Sequence, residues 1–226
     1  MTKSVAVFLI NEVHQLFGCI SIIDNRLANI QKTRIIPVAI LNTIRQEIRM
    51  SSKNIFLLVN IIGGLLVLGG YVLGITFYPE YNEALWGGVN GTLRNIFTIS
   101  MLPAAAGYLT FCYVTMFKNG ATAINKNSVL GQNPVSVLSA IFLASAAVWM
   151  PTLIAYIHTS ESYWWILSVS SLWITGLSLL TLTIITSNTS TSEMSQVSKN
   201  AAVIGLAYIT FHCLVIDAIV WVSMYQ

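Results

Sequence analysis

Five stretches of this chain, 55–77, 96–117, 135–157, 163–186 and 201–222, are long and predominantly apolar. A helix rises about 1.5 Å per residue, so some 20 such residues cross the roughly 30 Å hydrocarbon core of a bilayer. A soluble domain of this size has nowhere to bury five segments of that kind. The rest of the chain cannot compensate, because only 8% of its 226 residues are charged while 55% are apolar. Soluble domains carry about one quarter charged residues to wet their surface. The expected fold class is therefore an all-α integral membrane protein, a compact bundle of five transmembrane helices preceded by amphipathic helices on the cytoplasmic side. Two parts are expected: a basic interfacial segment over 1–54 and a five-span domain over 55–226.

Residues 4–23 are the ambiguous element. Leu9, Ile10, Val13, Leu16, Phe17 and Ile20 recur at helical spacing on one face, and Asn11, Glu12, His14, Gln15 and Gly18 gather on the other. That pattern describes a helix lying in the interface. Insertion as a sixth span would place Glu12 near mid-bilayer, where a charged group costs about 2.5–3.5 kcal/mol even on the mildest scale. The same polar residues break the apolar run after Lys3, so no cleavable signal peptide is expected. A second amphipathic helix is expected from Pro37, with Ile40, Leu41, Ile44 and Ile48 as its stripe and Arg45 and Arg49 beside it. These two segments are the candidate interfacial or docking surface.

Orientation follows the basic residues of the short loops. Lys3, Arg26, Lys32, Arg34, Arg45, Arg49 and Lys53 precede the first span, Lys118 and Lys126 follow the second, and Lys199 follows the fourth. Only Arg94 lies on the other side. The N-terminus is expected in the cytoplasm and the C-terminus outside. Tyr78, Tyr81, Trp86, Tyr163, Trp164, Trp165, Trp221 and Tyr225 supply an aromatic belt at the outer boundary. The Ser/Thr-rich stretch 187–200 reads as a flexible, solvated connector.

Helix packing is expected where small residues line up. The first span holds Gly63, Gly64, Gly69, Gly70 and Gly74, the third has Ser136, Ala140 and Ala144 in one row, and the last has Ala201 and Gly205. Either packing within the chain or oligomerisation would use them. Pro103 and Pro151 are expected to kink the second and third spans.

Chemistry is sparse. The G-x-S-x-G, H-E-x-x-H and P-loop patterns are missing, the three cysteines have no metal-ligand spacing, and the net charge of +3 offers no nucleic-acid footprint. No cofactor or metal is expected. Polar groups at depth mark functional sites in membrane proteins, and here the last span carries them. Thr210, Cys213, Asp217 and Trp221 follow one face, and Ala201, Gly205, Tyr208 and His212 another. With 3.6 residues per turn, His212 and Asp217 stand about 140° apart. That span is expected to pack centrally, with Tyr208 a candidate partner of His212. Asp217 lies below the outer end of its helix, where Arg94 and His158 also stand, so an outer polar cluster of Asp217 with Arg94, His158 or both is expected.

Three functions compete, and the first is the leading expectation, the second its alternative and the third ranks last. A non-catalytic component of a larger or homo-oligomeric membrane assembly needs the fewest special residues; its partners would be the lipid bilayer and other membrane subunits or copies of itself. A small transporter or channel subunit would use a polar site beside the fifth span, at Asp217 and His212. An intramembrane lipid-modifying enzyme would need His212, Asp217 and a Glu12 brought to depth.

Overall fold

A computed structural model of the protein describes residues 52–126, 133–190 and 194–225. The amphipathic stripes expected over 4–23 and from Pro37, with Leu9, Val13, Leu16, Phe17, Ile20, Arg45 and Arg49, lie outside the described residues. Among the described residues the structure is entirely helical. Five helices are long and apolar enough to cross a membrane: α1 (Ser52–Phe77), α2 (Gly91–Phe117), α4 (Pro134–Thr159), α5 (Ser162–Ser187) and α6 (Gln196–Met224). A short helix, α3 (Gly120–Lys126), follows α2. Two 3-10 turns, Pro79–Tyr81 and Ala84–Trp86, lie between α1 and α2. Such a set of helices suggests a multi-pass integral membrane protein.

Every helix starts before its apolar stretch, because polar residues can continue a helix without adding hydropathy. The largest difference is at α6, which begins at Gln196. Ser195 caps it, its hydroxyl accepting from the Ser198 amide at 3.2 Å. The preceding stretch is tied down rather than fully solvated: Thr189 and Met194 are buried, and Lys199 Nζ donates to the Thr189 carbonyl at 2.7 Å. α2 and α4 continue helically through Pro103 and Pro151.

The helices pack in the order α1, α4, α5, α6, α2. α4 and α5 are the most buried and α1 the least, with only Phe56 and Gly74 buried along it. The last helix is flanked by α5 and α2, as expected, but α4 is the more enclosed. Glycines set the approaches. A Cβ on Gly63 would stand 2.6 Å from Leu143 Cβ, and one on Gly74 2.9 Å from Met150 Cγ. Those two glycines therefore seat α1 on α4 within one chain. Gly107 and Gly205 bring α2 and α6 into backbone contact, with a Cβ on Gly107 falling 2.5 Å from the Gly205 carbonyl oxygen. The small-residue row on α4 is not one seam, since Ser136 is buried and Ala144 exposed.

Several hydroxyls of α4 and α5 serve this packing. Ser145 and Thr175 pair across α4 and α5 at 2.8 Å, and Thr183 and Thr210 across α5 and α6 at 3.0 Å. Others, including Thr152 and Ser178, bond to carbonyls three or four residues back. Asn60, the central polar residue of α1, donates to the Phe56 carbonyl and accepts from the Tyr108 hydroxyl at 2.7 Å.

At the far end of the bundle the expected aromatic belt packs largely inward. Trp165, Trp221 and Tyr225 stack within 4.7–5.8 Å of one another. The α1–α2 connection lies across them: Trp221 Nε1 donates to the Leu85 carbonyl at 3.2 Å, and the Gly88 amide donates to the Met224 carbonyl at 3.1 Å.

Candidate functional site

α6 does not wind uniformly. Between its α-helical beginning and end lies a π-helical segment of 11 residues, Phe211–Trp221. A π-helix bonds residue i to i+5, so residues five apart share a face. His212 and Asp217 are five apart. The α-helical winding assumed from the sequence sets them on separate faces; the π winding instead brings His212 Nε2 to 3.7 Å from Asp217 Oδ2.

The other imidazole nitrogen looks across to α2. His212 Nδ1 stands 2.9 Å from Ser100 Oγ, and Ser100 Oγ stands 3.4 Å from the Tyr208 hydroxyl. The glycine crossing fixes this register. Ser100 precedes Gly107 by seven residues and His212 follows Gly205 by seven, so two antiparallel helices crossing at those glycines place Ser100 opposite His212. Tyr208 thus reaches His212 through Ser100, rather than directly as its one-turn spacing suggests. His212 is 4% exposed and Ser100 7%, whereas the Asp217 side chain retains 26%.

The outer cluster expected around Asp217 is divided into separate pairs. Arg94 Nη1 meets Glu83 Oε2 at 2.8 Å, and its guanidinium lies 4.7 Å from the Trp86 ring centre. His158 Nδ1 lies 2.8 Å from the Tyr81 hydroxyl. Among the described residues, the titratable side chain that meets Asp217 is His212, at 3.7 Å, an ion pair only when the imidazole is protonated. The reason is the folded α1–α2 connection, which places Glu83 and Trp86 beside Arg94 and Tyr81 beside His158. A guanidinium held there stays hydrated and avoids the several kcal/mol that burial of an ion costs.

The row Tyr208–Ser100–His212–Asp217 resembles a serine nucleophile with its base, but the geometry is not that of a hydrolase. The 3.7 Å contact exceeds a hydrogen bond. Ser100 lies mid-helix, where backbone amides are committed to the helix and cannot line an oxyanion hole. Among the described residues no three His, Cys, Asp or Glu side chains converge as a metal would require. What the row offers is a buried imidazole reached from a hydroxyl on one nitrogen and from a carboxylate on the other. Sequence reasoning missed Ser100, whose role depends on the α2–α6 register, and the His212–Asp217 pairing, because no sequence rule places a π segment here. No protein-family model matches the chain, and no curated protein or solved structure is significantly similar to it.

Proposed function

We propose that the protein is a small transporter or channel subunit that handles a proton or cation at His212 and Asp217, beside its last span. The observation that carries this reading is the His212–Asp217 approach at 3.7 Å with Ser100 on the opposite imidazole nitrogen at 2.9 Å. Histidine exchanges protons near neutrality and carries them between its two nitrogens. Ser100 and Tyr208 would relay a proton to or from Nδ1, and Asp217 would exchange one with Nε2. A closing motion of under 1 Å in the π segment would bring the pair within hydrogen-bond range (about 2.7–3.2 Å), and π segments occur frequently at functional sites. Ionisable residues inside spans mark ion or proton pathways by default.

In the test, the purified chain is reconstituted into vesicles holding a pH-sensitive dye, and a pH gradient is imposed. The protein should dissipate the gradient faster than empty vesicles. His212→Gln and Asp217→Asn should each return the rate to background, and Ser100→Ala should slow it roughly 10–100-fold, the worth of one hydrogen bond to a charged group. Equal rates in wild-type and empty vesicles, or variants that match wild type, would sink the reading.

A second reading, a non-catalytic component of a larger or homo-oligomeric membrane assembly, draws on α1. That helix is exposed along most of its length, and a side chain at Gly69 would meet nothing within 4 Å. A partner helix could approach closely there. Native mass determination after mild extraction discriminates: a lone monomer removes the assembly reading and leaves the first untouched.

A further inference from the structure

α1 and α2 meet at one end of the bundle and part at the other. Phe56 of α1 packs against Phe111 of α2, with ring centres 5.9 Å apart, and Asn60 bonds to Tyr108 and Cys112. Farther along α2, Ala105 and Met101 continue the row begun by Cys112 and Tyr108, and both are exposed. Opposite them, a side chain on Gly64 would meet nothing within 4 Å. The two helices therefore flank a crevice that opens sideways from the bundle. Behind it stands the π segment of α6, with Cys213 and Asp217 both partly exposed. Tyr71 of α1 lies within electrostatic range of both.

Three polar groups here have no hydrogen bond among the described residues. They are the Asp217 carboxylate and the Tyr71 hydroxyl, on partly exposed residues, and the buried Trp149 Nε1; His212 approaches the carboxylate to 3.7 Å. Aromatic rings adjoin Tyr71. Tyr71 packs 5.8 Å from Trp149, and Trp149 packs 5.7 Å from Trp221, one turn beyond Asp217. A carboxylate left without hydrogen bonds in an apolar setting is costly, and a bound cation removes that cost. The negative faces of the rings favour a cation as well. A metal ion wants several ligands, and no third one converges among the described residues. An ammonium group needs one acceptor and aromatic walls.

We propose that this crevice binds a lipophilic organic amine in its ammonium form, the nitrogen donating to Asp217 and the apolar body lying along Tyr71 between α1 and α2. The proposal rests on reading Asp217 as the cation-handling end of the His212 site, and it names the class of ligand. The sideways opening suits a ligand that partitions into lipid before it binds. His212, Tyr71 and Cys213 are the titratable groups that face Asp217. Because a proton and an ammonium both satisfy the same carboxylate, each displaces the other.

The full chain in detergent is titrated with dansyl-hexylamine at neutral pH, followed by dansyl fluorescence, beside dansyl-hexanol as the neutral analogue. The amine should bind saturably and roughly 10–100-fold more tightly than the alcohol, the range set by one hydrogen bond between charged groups. Asp217→Asn should remove that preference and Tyr71→Leu should weaken it, with both variants eluting as monodisperse protein. Equal binding of amine and alcohol to the wild type overturns the proposal, even if Asp217→Asn fails to fold. So does a folded Asp217→Asn that keeps the preference. The vesicle assay separates the two ideas. Proton movement without amine preference leaves the transporter reading standing and removes this one. Amine preference without proton movement does the reverse for proton handling.

Discussion

Tyr225 follows the last helical residue, Met224, and sits where the chain end meets the aromatic cluster. Its ring packs 4.7 Å from Trp165 and 4.8 Å from Trp221. Burial pushes its phenol up from 10.0 to about 12, and the neighbouring Tyr156 adds to the shift. The folded state thus holds this proton more tightly than the unfolded chain does. Stability from this group is complete below pH 10.0 and is lost as pH rises through about 12. The melting temperature of the solubilised protein should fall across that window, and Tyr225→Phe should flatten the fall. Parallel melting curves for the two proteins would show that Tyr225 carries none of it. The residue scale is also where sequence reading fell shortest. Asp217 and His212 stood out as polar groups in an apolar span, because hydropathy marks them. Their partners did not. Ser100 is one hydroxyl among many on these helices, and its place opposite His212 depends on where two glycines in different spans meet.

At the scale of elements, five helices were legible because apolar runs of spanning length leave little choice of secondary structure. Their starts were less so, since Ser52, Gln196 and Lys199 are helical without being apolar. The π segment of α6 was not legible at all: its residues would serve equally in an α-helix, and winding is set by what packs against it. Gly176 of α5 meets Leu214 within that segment, a Cβ there falling 2.8 Å from Leu214 Cδ1. The α2–α6 crossing gives a direct test of how packing sets the site. A Cβ on Gly107 would strike the Gly205 backbone, which cannot rotate away as a side chain can. Gly107→Ala should therefore destabilise the protein by about 1–3 kcal/mol, the usual cost of overpacking, and should separate Ser100 from His212. Thermal unfolding reads the first effect and the vesicle assay the second. Gly64→Ala is the control, since nothing stands near it. Equal losses from the two variants would mean that the glycine crossing does not position the site.

For the whole molecule, charge predicts which way the bundle faces. Five spans put the two ends of the described unit on opposite faces of the bundle. Among the described residues, Lys53, Lys118, Lys126 and Lys199 all fall toward the face where α1 begins, and six more basic residues precede Ser52 in the sequence. The exception, Arg94, is paired with Glu83 at 2.8 Å. Its charge is largely offset, though acidic partners count for little in setting topology. The basic face should therefore remain in the cytoplasm, with the aromatic cluster and Tyr225 outside. In a background with Cys19, Cys112 and Cys213 replaced by alanine, Ser4→Cys and Gln226→Cys are probed separately in intact cells with a membrane-impermeant thiol reagent. Label should reach position 226 and reach position 4 only after the cells are opened. Outside labelling at both positions would mean that residues 4–23 cross as a sixth span, which would bring Glu12 to depth and revive the acid–base chemistry of a lipid-modifying enzyme. Labelling at position 4 alone would invert the protein, and the crevice beside Asp217 would then approach the cytoplasmic leaflet instead of the outer one.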